Sequence, residues 1–248
     1  MAAEKGIDAR NSVIEFIIKS SEGCTVETPY IMCVVIVIYV FIEVRVNTLD
    51  SITLSRRYYM ALIRKDFEDD AAIIGCEVEA VMAVATVESR GGGFDPEGFP
   101  KTLFEGHWFH KLTKGKYSES HPTLSYAKWT REHYGKTWQA EKVRLQQAMA
   151  LDRTAAMMST SWGMFQIMGF NFGKCGFKTV QQFVNAMCKS EDAQLAAFTQ
   201  YIVSSGLADE LVDHRWADFA RLYNGPSYAV NKYDTKLAKA YEAAKKQT

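Results

Sequence analysis

The chain has no excess of charge of either sign: its 248 residues carry 29 lysines and arginines against 29 aspartates and glutamates. That balance gives no electrostatic reason to expect nucleic acid or an anionic surface as a partner. CxxC spacing is also missing. The five cysteines, Cys24, Cys33, Cys76, Cys175 and Cys188, are odd in number and scattered, so neither a disulfide framework nor a structural zinc site is indicated. Buried free thiols are the default, with a Cys175 to Cys188 bridge left open for an oxidising compartment. No apolar run reaches the ~20 residues that a bilayer-spanning helix needs; the anomalous segment, Ile31 to Ile42, has twelve. There is no internal repeat and no βαβ rhythm, which argues against solenoids and doubly wound sheets. No metal-ligand cluster is visible, so neither a metal nor an organic cofactor is expected.

What is present is long enough to bury a substantial core in one large domain, or in one domain with a small appendage. The first sixty residues differ in character from the rest. NSVIEFIIKS fits a short helix or a strand equally well. Ile31 to Ile42 is rich in Val and Ile and reads as a buried strand or interaction segment. The alternative is a membrane-associating or export segment, although it starts late and lacks the cleavage site of a signal peptide. Any transient membrane contact would go through it. A polar connection from Asn47 to Arg57 places the boundary: residues 1–57 form an N-terminal segment and 58–248 the main domain.

From Tyr58 onward helical periodicity dominates. Short helices are predicted over Asp66 to Ile74, stopped by Gly75, and over Thr137 to Met149, with Asp152 capping another through Met158. Thr179-Val180-Gln181-Gln182 has the form of a capping box. Glu191 to Val203 carries a Leu195, Phe198, Ile202 stripe with Gly206 past its end. Asp213 is placed to cap a helix in which Trp216, Phe219, Ala220 and Tyr223 share a face, and a last helix over Asn231 to Lys245 should lie on the surface. Asp95-Pro96-Glu97-Gly98 suits a type I turn. Alternation in KTLFEGHWFH suggests a strand of a small hairpin, with Leu103, Glu105, His107 and Phe109 on one face and His107 and His110 on opposite faces. The architecture is mainly α, with a small β-hairpin beside a helical bundle.

Chemistry enters with VMAVATVESRGGG. Val81, Val84, Ala85 and Glu88 fall at i, i+3, i+4 and i+7, which sets a carboxylate on the apolar stripe of a helix that the glycines end. In the last turn, the negative end of the helix dipole and partial burial both disfavour its charged form. A carboxylic acid kept protonated is what a glycosidase uses to protonate a leaving sugar oxygen. Glu88 is otherwise a solvated terminal residue or a partner of Arg90. In STSWGMFQIMGF one amide, Gln166, is set among Trp162, Met164, Phe165 and Ile167, a mixture that suits a sugar ring and its hydroxyls; the alternative is a core helix whose Gln bonds the backbone. RLYNGPSY ends a helix on Tyr223 and Asn224, either as a phenol and an amide offered to a ligand or as an ordinary C-cap.

Taken together and in order, Glu88-Ser89, Gly163-Met164-Phe165-Gln166-Ile167 and Tyr223-Asn224-Gly225-Pro226 resemble the ES, GLMQ and YN signatures of goose-type lysozymes and lytic transglycosylases. VESRGGGF, KTLFEGHWFH, SWGMFQIMGF and RLYNGPSY resemble more closely the N-acetylmuramidase catalytic domain of bacteriophage endolysins, over Asp66 to Tyr241. Phe165 stands where that pattern usually has Met. The first sixty residues are outside the resemblance and show no wall-binding repeat.

The resemblance implies a lysozyme-like α+β fold and cleavage of the β-1,4 bond between N-acetylmuramic acid and N-acetylglucosamine in bacterial peptidoglycan. Glu88 becomes the general acid, Ser89 helps to hold its carboxyl, and Gln166, Tyr223 and Asn224 contact saccharide. Trp162 and His107 are further substrate-binding candidates. For a second carboxylate, Asp95, Glu97 and Glu105 follow closely, and Glu105 is preferred because it lies in a shared motif. Without a second acid, the muramic acid 6-hydroxyl would attack and give a 1,6-anhydro product, as in a lytic transglycosylase. A virion-associated wall-degrading protein or a non-catalytic glycan-binding component is the remaining alternative. The implied setting is a monomer made in the host cytoplasm and acting in the periplasm on the wall.

Overall fold

A computed structural model of the chain describes residues 62–89 and 92–246. The readings of NSVIEFIIKS, of 31–42 and of a boundary near 57 lie outside those residues. Among the described residues, ten α-helices and three short strands are formed. The first helix, α1 (Arg64–Ile74), ends on Gly75 at φ 86, a left-handed conformation that costs glycine least. It leads into α2 (Val78–Ser89), whose Ala80, Val81, Ala83, Val84 and Ala85 are all buried. Burial of more than one stripe marks α2 as a central helix.

After α2 the chain turns at Asp95, whose Oδ1 accepts from the backbone N–H of Glu97 and of Phe99. The strand β1 (Thr102–Phe104) follows, then α3 (Gly106–Leu112). The single strand expected over KTLFEGHWFH is therefore a strand joined to a helix. Phe104 and Phe109 are both fully buried, with ring centroids 5.5 Å apart. Residues five apart on a strand face opposite ways, whereas a helical turn brings both into the core. Gly106 makes that turn fit, since a Cβ there would lie 2.3 Å from the Tyr126 ring and 2.8 Å from the Leu124 carbonyl oxygen.

The loop from Lys114 to Gly135 has no regular structure. Beyond it, α4 (Trp138–Leu151) and α5 (Arg153–Met158) begin on Thr137 and Asp152, each of which accepts a backbone N–H with its side chain. STSWGMFQIMGF forms a β-hairpin, not a helix: β2 (Thr160–Trp162) and β3 (Ile167–Met168) flank a turn containing Gly163 at φ 72 and Gln166 at φ 49. The sheet is antiparallel in the order β1-β2-β3, with Thr102 opposite Trp162 and Ser161 opposite Met168.

The remaining helices are α6 (Val180–Met187), α7 (Glu191–Ser205), α8 (Ala208–Val212), α9 (Trp216–Asn224) and α10 (Tyr233–Lys245). Thr179 caps α6 as expected, but the reciprocal bond of Gln182 goes to the Lys178 N–H. Leu195, Phe198 and Ile202 of α7 are fully buried. Two expectations are corrected. Asp213 closes α8 and pairs with Arg215, while Arg215 occupies the cap position of α9. The last helix does not simply lie on the surface: α10 buries Leu237, Tyr241 and Ala244 and packs along α2, where Ala80 and Ala83 are small enough to admit the Tyr241 ring.

Cys76, Cys175 and Cys188 are free thiols, so the Cys175 to Cys188 bridge is not made. Burial pushes Cys76 up to about 11 and Cys175 up to about 12, and neither is a thiolate nucleophile at neutral pH.

Candidate active site

Glu88 lies in the last turn of α2 and is half-buried. The Asn224 amide, at the last residue of α9, donates to Glu88 Oε1 at 3.0 Å. That bond fixes the orientation of the carboxyl and uses Oε1 as an acceptor. The Asn224 Oδ1 is itself buried without a protein partner, a condition that calls for a donor from outside the chain.

Five further bonds join the motifs into a circuit beside this acid. The Tyr223 hydroxyl donates to the Phe165 carbonyl at 2.9 Å. Burial, and after it the charge of Glu88, pushes the Tyr223 phenol well above its usual value, so it acts as a neutral donor. Gln166 Nε2 donates to the Gly163 carbonyl at 2.9 Å and to the Lys101 carbonyl at 3.4 Å, while its Oε1 accepts from the Ser161 hydroxyl at 2.9 Å. Lys101 Nζ then donates to the Ser89 carbonyl at 2.9 Å. An ammonium there also balances the negative end of the α2 dipole.

The circuit therefore runs Glu88-Ser89, Tyr223-Asn224, Phe165-Gln166 and Lys101. Gln166 bonds the backbone, as in the alternative reading of the sequence, but from a hairpin and not a helix: its amide fixes the β2–β3 turn and the residue before β1. Trp162 departs from its expected place as well. It is 4% exposed, with its indole N–H donated to the Met157 carbonyl, and belongs to the core.

Gln194 is a site residue that the sequence does not single out. This α7 residue is 1% exposed; its Oε1 accepts from the Met164 N–H at 2.6 Å and its Nε2 donates to the Met187 carbonyl at 2.8 Å. It also explains two glycines. A Cβ on Gly93 would sit 2.0 Å from the Gln194 Oε1, and one on Gly163 would sit 2.7 Å from its Cδ. One turn earlier, Glu191 accepts from the Gly93 N–H at 2.5 Å. The N-terminal half of α7 thus braces both the segment after Glu88 and the turn before Gln166. A polar residue adjoining the Leu195 stripe is the only local signal of it.

The other carboxylates are placed differently. Asp95 has a side chain 2% exposed and pairs with Lys142 Nζ at 2.7 Å, while Glu97 meets the same ammonium at 2.8 Å. Burial raises the Asp95 carboxyl, but Lys142 and the Phe99 and Glu97 N–H groups outweigh it and hold it below its usual value. Both acids secure the turn after α2.

Glu105 joins β1 to α3 and accepts from the Tyr134 hydroxyl at 2.8 Å. His107 Nδ1 lies 3.2 Å from the same oxygen, but without hydrogen-bond geometry. Burial pushes Glu105 up and His107 down, which disfavours an ion pair between them. Because α3 is a helix, His107 and His110 lie on one side of it, not on opposite faces. Among the described residues no group of His, Cys, Asp and Glu could hold a metal ion, and no helix is long and apolar enough to cross a membrane.

An acid at the end of a central helix, beside a small antiparallel sheet in a mainly helical domain, defines the lysozyme-like class of fold. Residues 77–245 match the N-acetylmuramidase family model. The chain belongs to that family, whose substrate is peptidoglycan. A search of curated proteins finds no significant relative. Among solved structures, the chain is similar to the crystal structure of Burkholderia AP3 phage endolysin, at 37% identity and a TM-score of 0.69, over 75% of this chain and 73% of that one.

Proposed function

We propose that the protein is a phage endolysin that hydrolyses the β-1,4 bond between N-acetylmuramic acid and N-acetylglucosamine, with Glu88 as general acid. The observation that carries this reading is the Asn224 to Glu88 bond inside the circuit of motifs just described: the acid is half-buried and oriented on one oxygen by Asn224, whose neighbour Tyr223 bonds the Phe165 carbonyl. The Glu88 carboxyl delivers its proton to the bridging oxygen as the C1–O bond breaks, the carboxylate that remains favours the positive charge developing on the sugar ring, and a water then adds to C1 and loses its proton to that carboxylate or to solvent. Asn224 Oδ1 accepts an N–H from an acetamido group of the glycan, and the Tyr223 hydroxyl ties α9 to the Phe165-Gln166 turn. Glu105 is buried and bonded to Tyr134, so its assigned part is to order the β1–α3 junction rather than to attack.

The N-terminal segment 1–57 is assigned outside the catalytic domain of 58–248. The protein is a monomer reaching the wall from the host cytoplasm. Mass spectrometry of digested peptidoglycan tests the reaction: a hydrated reducing-end muramic acid is expected. A 1,6-anhydro end would make the protein a transglycosylase, and a glucosamine reducing end would contradict the bond assigned.

A further inference from the structure

A depression of about 600 Å³ opens beside α3, lined by His107, Trp108, His110, Lys111, Lys114 and Ala127. His107, His110 and Lys111 fall at i, i+3 and i+4 on one face of α3, and Lys114 follows just past the end of that helix. Lys111 and Lys114 are exposed. Among the described residues neither is paired with a carboxylate. The floor is aromatic and braced: Trp108 packs on Phe170 with centroids 4.6 Å apart, and Lys111 Nζ stands 4.5 Å above the Trp108 ring. Lys114 holds φ 53, a conformation a glycine would adopt with less strain. The helix dipole favours a cation at this end of α3, but it does not account for two ammonium groups and two imidazoles lining one depression.

The groove is connected to the candidate active site through β1. Lys101, just before the strand, bonds Ser89 beside the acid, and Glu105, just after it, touches the groove residue His107. Four residues of extended chain, ~13 Å, separate the two positions. A glycan running along the sheet from Glu88 carries its substituents toward the groove. A bare glycan offers the groove only the lactyl carboxylate of muramic acid, held within a few atoms of the sugar ring. The short peptide carried on that lactyl group extends further and brings several free carboxylates to the two ammonium groups, and its alkyl carbons suit the Trp108 face and Ala127.

We propose that this groove binds the carboxylate-bearing peptide stem of peptidoglycan, so that the enzyme selects peptide-substituted over bare glycan. The proposal rests on the peptidoglycan reading given above.

Kinetics of the full chain and of a Lys111→Glu/Lys114→Glu variant on peptide-bearing and on amidase-stripped soluble glycan strands test it. Reversing the charge at these two exposed positions should raise KM for peptide-bearing strands about tenfold with kcat little changed. KM for stripped strands should stay the same, and 0.5 M salt should erase the wild-type preference. Equal losses on both substrates, or no loss on either, overturn the proposal. Binding of the free stem tetrapeptide, followed by chemical-shift changes, is read separately: wild type binds and the variant does not. If neither glycan is cleaved, the muramidase reading fails while tetrapeptide binding still decides the groove. A defect confined to lysis of cells bearing lipopolysaccharide, with isolated sacculi digested normally, overturns the peptide assignment in favour of phosphate groups.

Discussion

Glu88 and Glu105 are both partly or largely buried, and each accepts a hydrogen bond from a side chain, yet their surroundings differ. Glu88 ends a helix and meets Asn224 from a helix 136 positions further on. Its neighbours Ser89, Tyr223, Phe165 and Gln166 are linked by bonds that cross the chain. Glu105 begins a helix, meets Tyr134 from the adjoining loop, and touches a histidine whose charge is disfavoured. One carboxyl is held by converging elements with an unmatched acceptor beside it; the other stitches a junction. Burial alone does not distinguish the two carboxyls; the origin of their partners does.

The largest expected difference is in activity. Glu88→Gln should lower the rate of peptidoglycan solubilisation by about 10²- to 10⁴-fold with an unchanged circular dichroism spectrum, whereas Glu105→Gln should keep at least about a tenth of it. Equal losses in the two folded variants would mean that the carboxylates act as a pair.

Next is the brace behind the Glu88 region. Gln194→Leu strands the Met164 N–H and the Met187 carbonyl in the core, a loss of about 3 kcal/mol. Urea unfolding measures it, and a value near zero would show that α7 does not organise the two turns. A smaller effect, about 1.5 kcal/mol, is expected for Lys101→Met, which removes an ammonium from the Ser89 carbonyl. Wild-type stability in that variant would cut Lys101 out of the circuit.

The smallest effect concerns Glu105 and pH. Its carboxyl titrates above its usual value in the folded state, so its contribution is fully present below the unfolded value and is lost as pH rises through the folded one. Gln does not titrate. The Tm of Glu105→Gln relative to wild type should therefore increase from about pH 4 to about pH 7; a flat or falling difference would show that burial does not dominate there.

Most helices are legible in the sequence because caps and apolar stripes are local: Gly75, Thr137, Thr179 and Gly206 each act within one turn. Glu88, Tyr223 and Asn224 are legible as motifs, and the fold brings them together. What is not legible depends on distant partners. KTLFEGHWFH alternates like a strand, but Phe104 and Phe109 must both enter the core. Trp162 and Gln166 sit in a sugar-like neighbourhood of sequence, yet the backbone at Met157 and Gly163 takes their polar groups. Gln194 shows only as a polar residue adjoining the Leu195 stripe, because the glycines it packs against, Gly93 and Gly163, are far from it in the chain.

The account turns on proton donation by Glu88, and a leaving-group comparison addresses that step directly. A dinitrophenyl glycoside of the wall disaccharide departs without protonation, so Glu88→Gln should cleave it within about tenfold of wild type while remaining at least about 10²-fold slower on peptidoglycan. Equal impairment on both substrates would contradict the role of Glu88 as the acid.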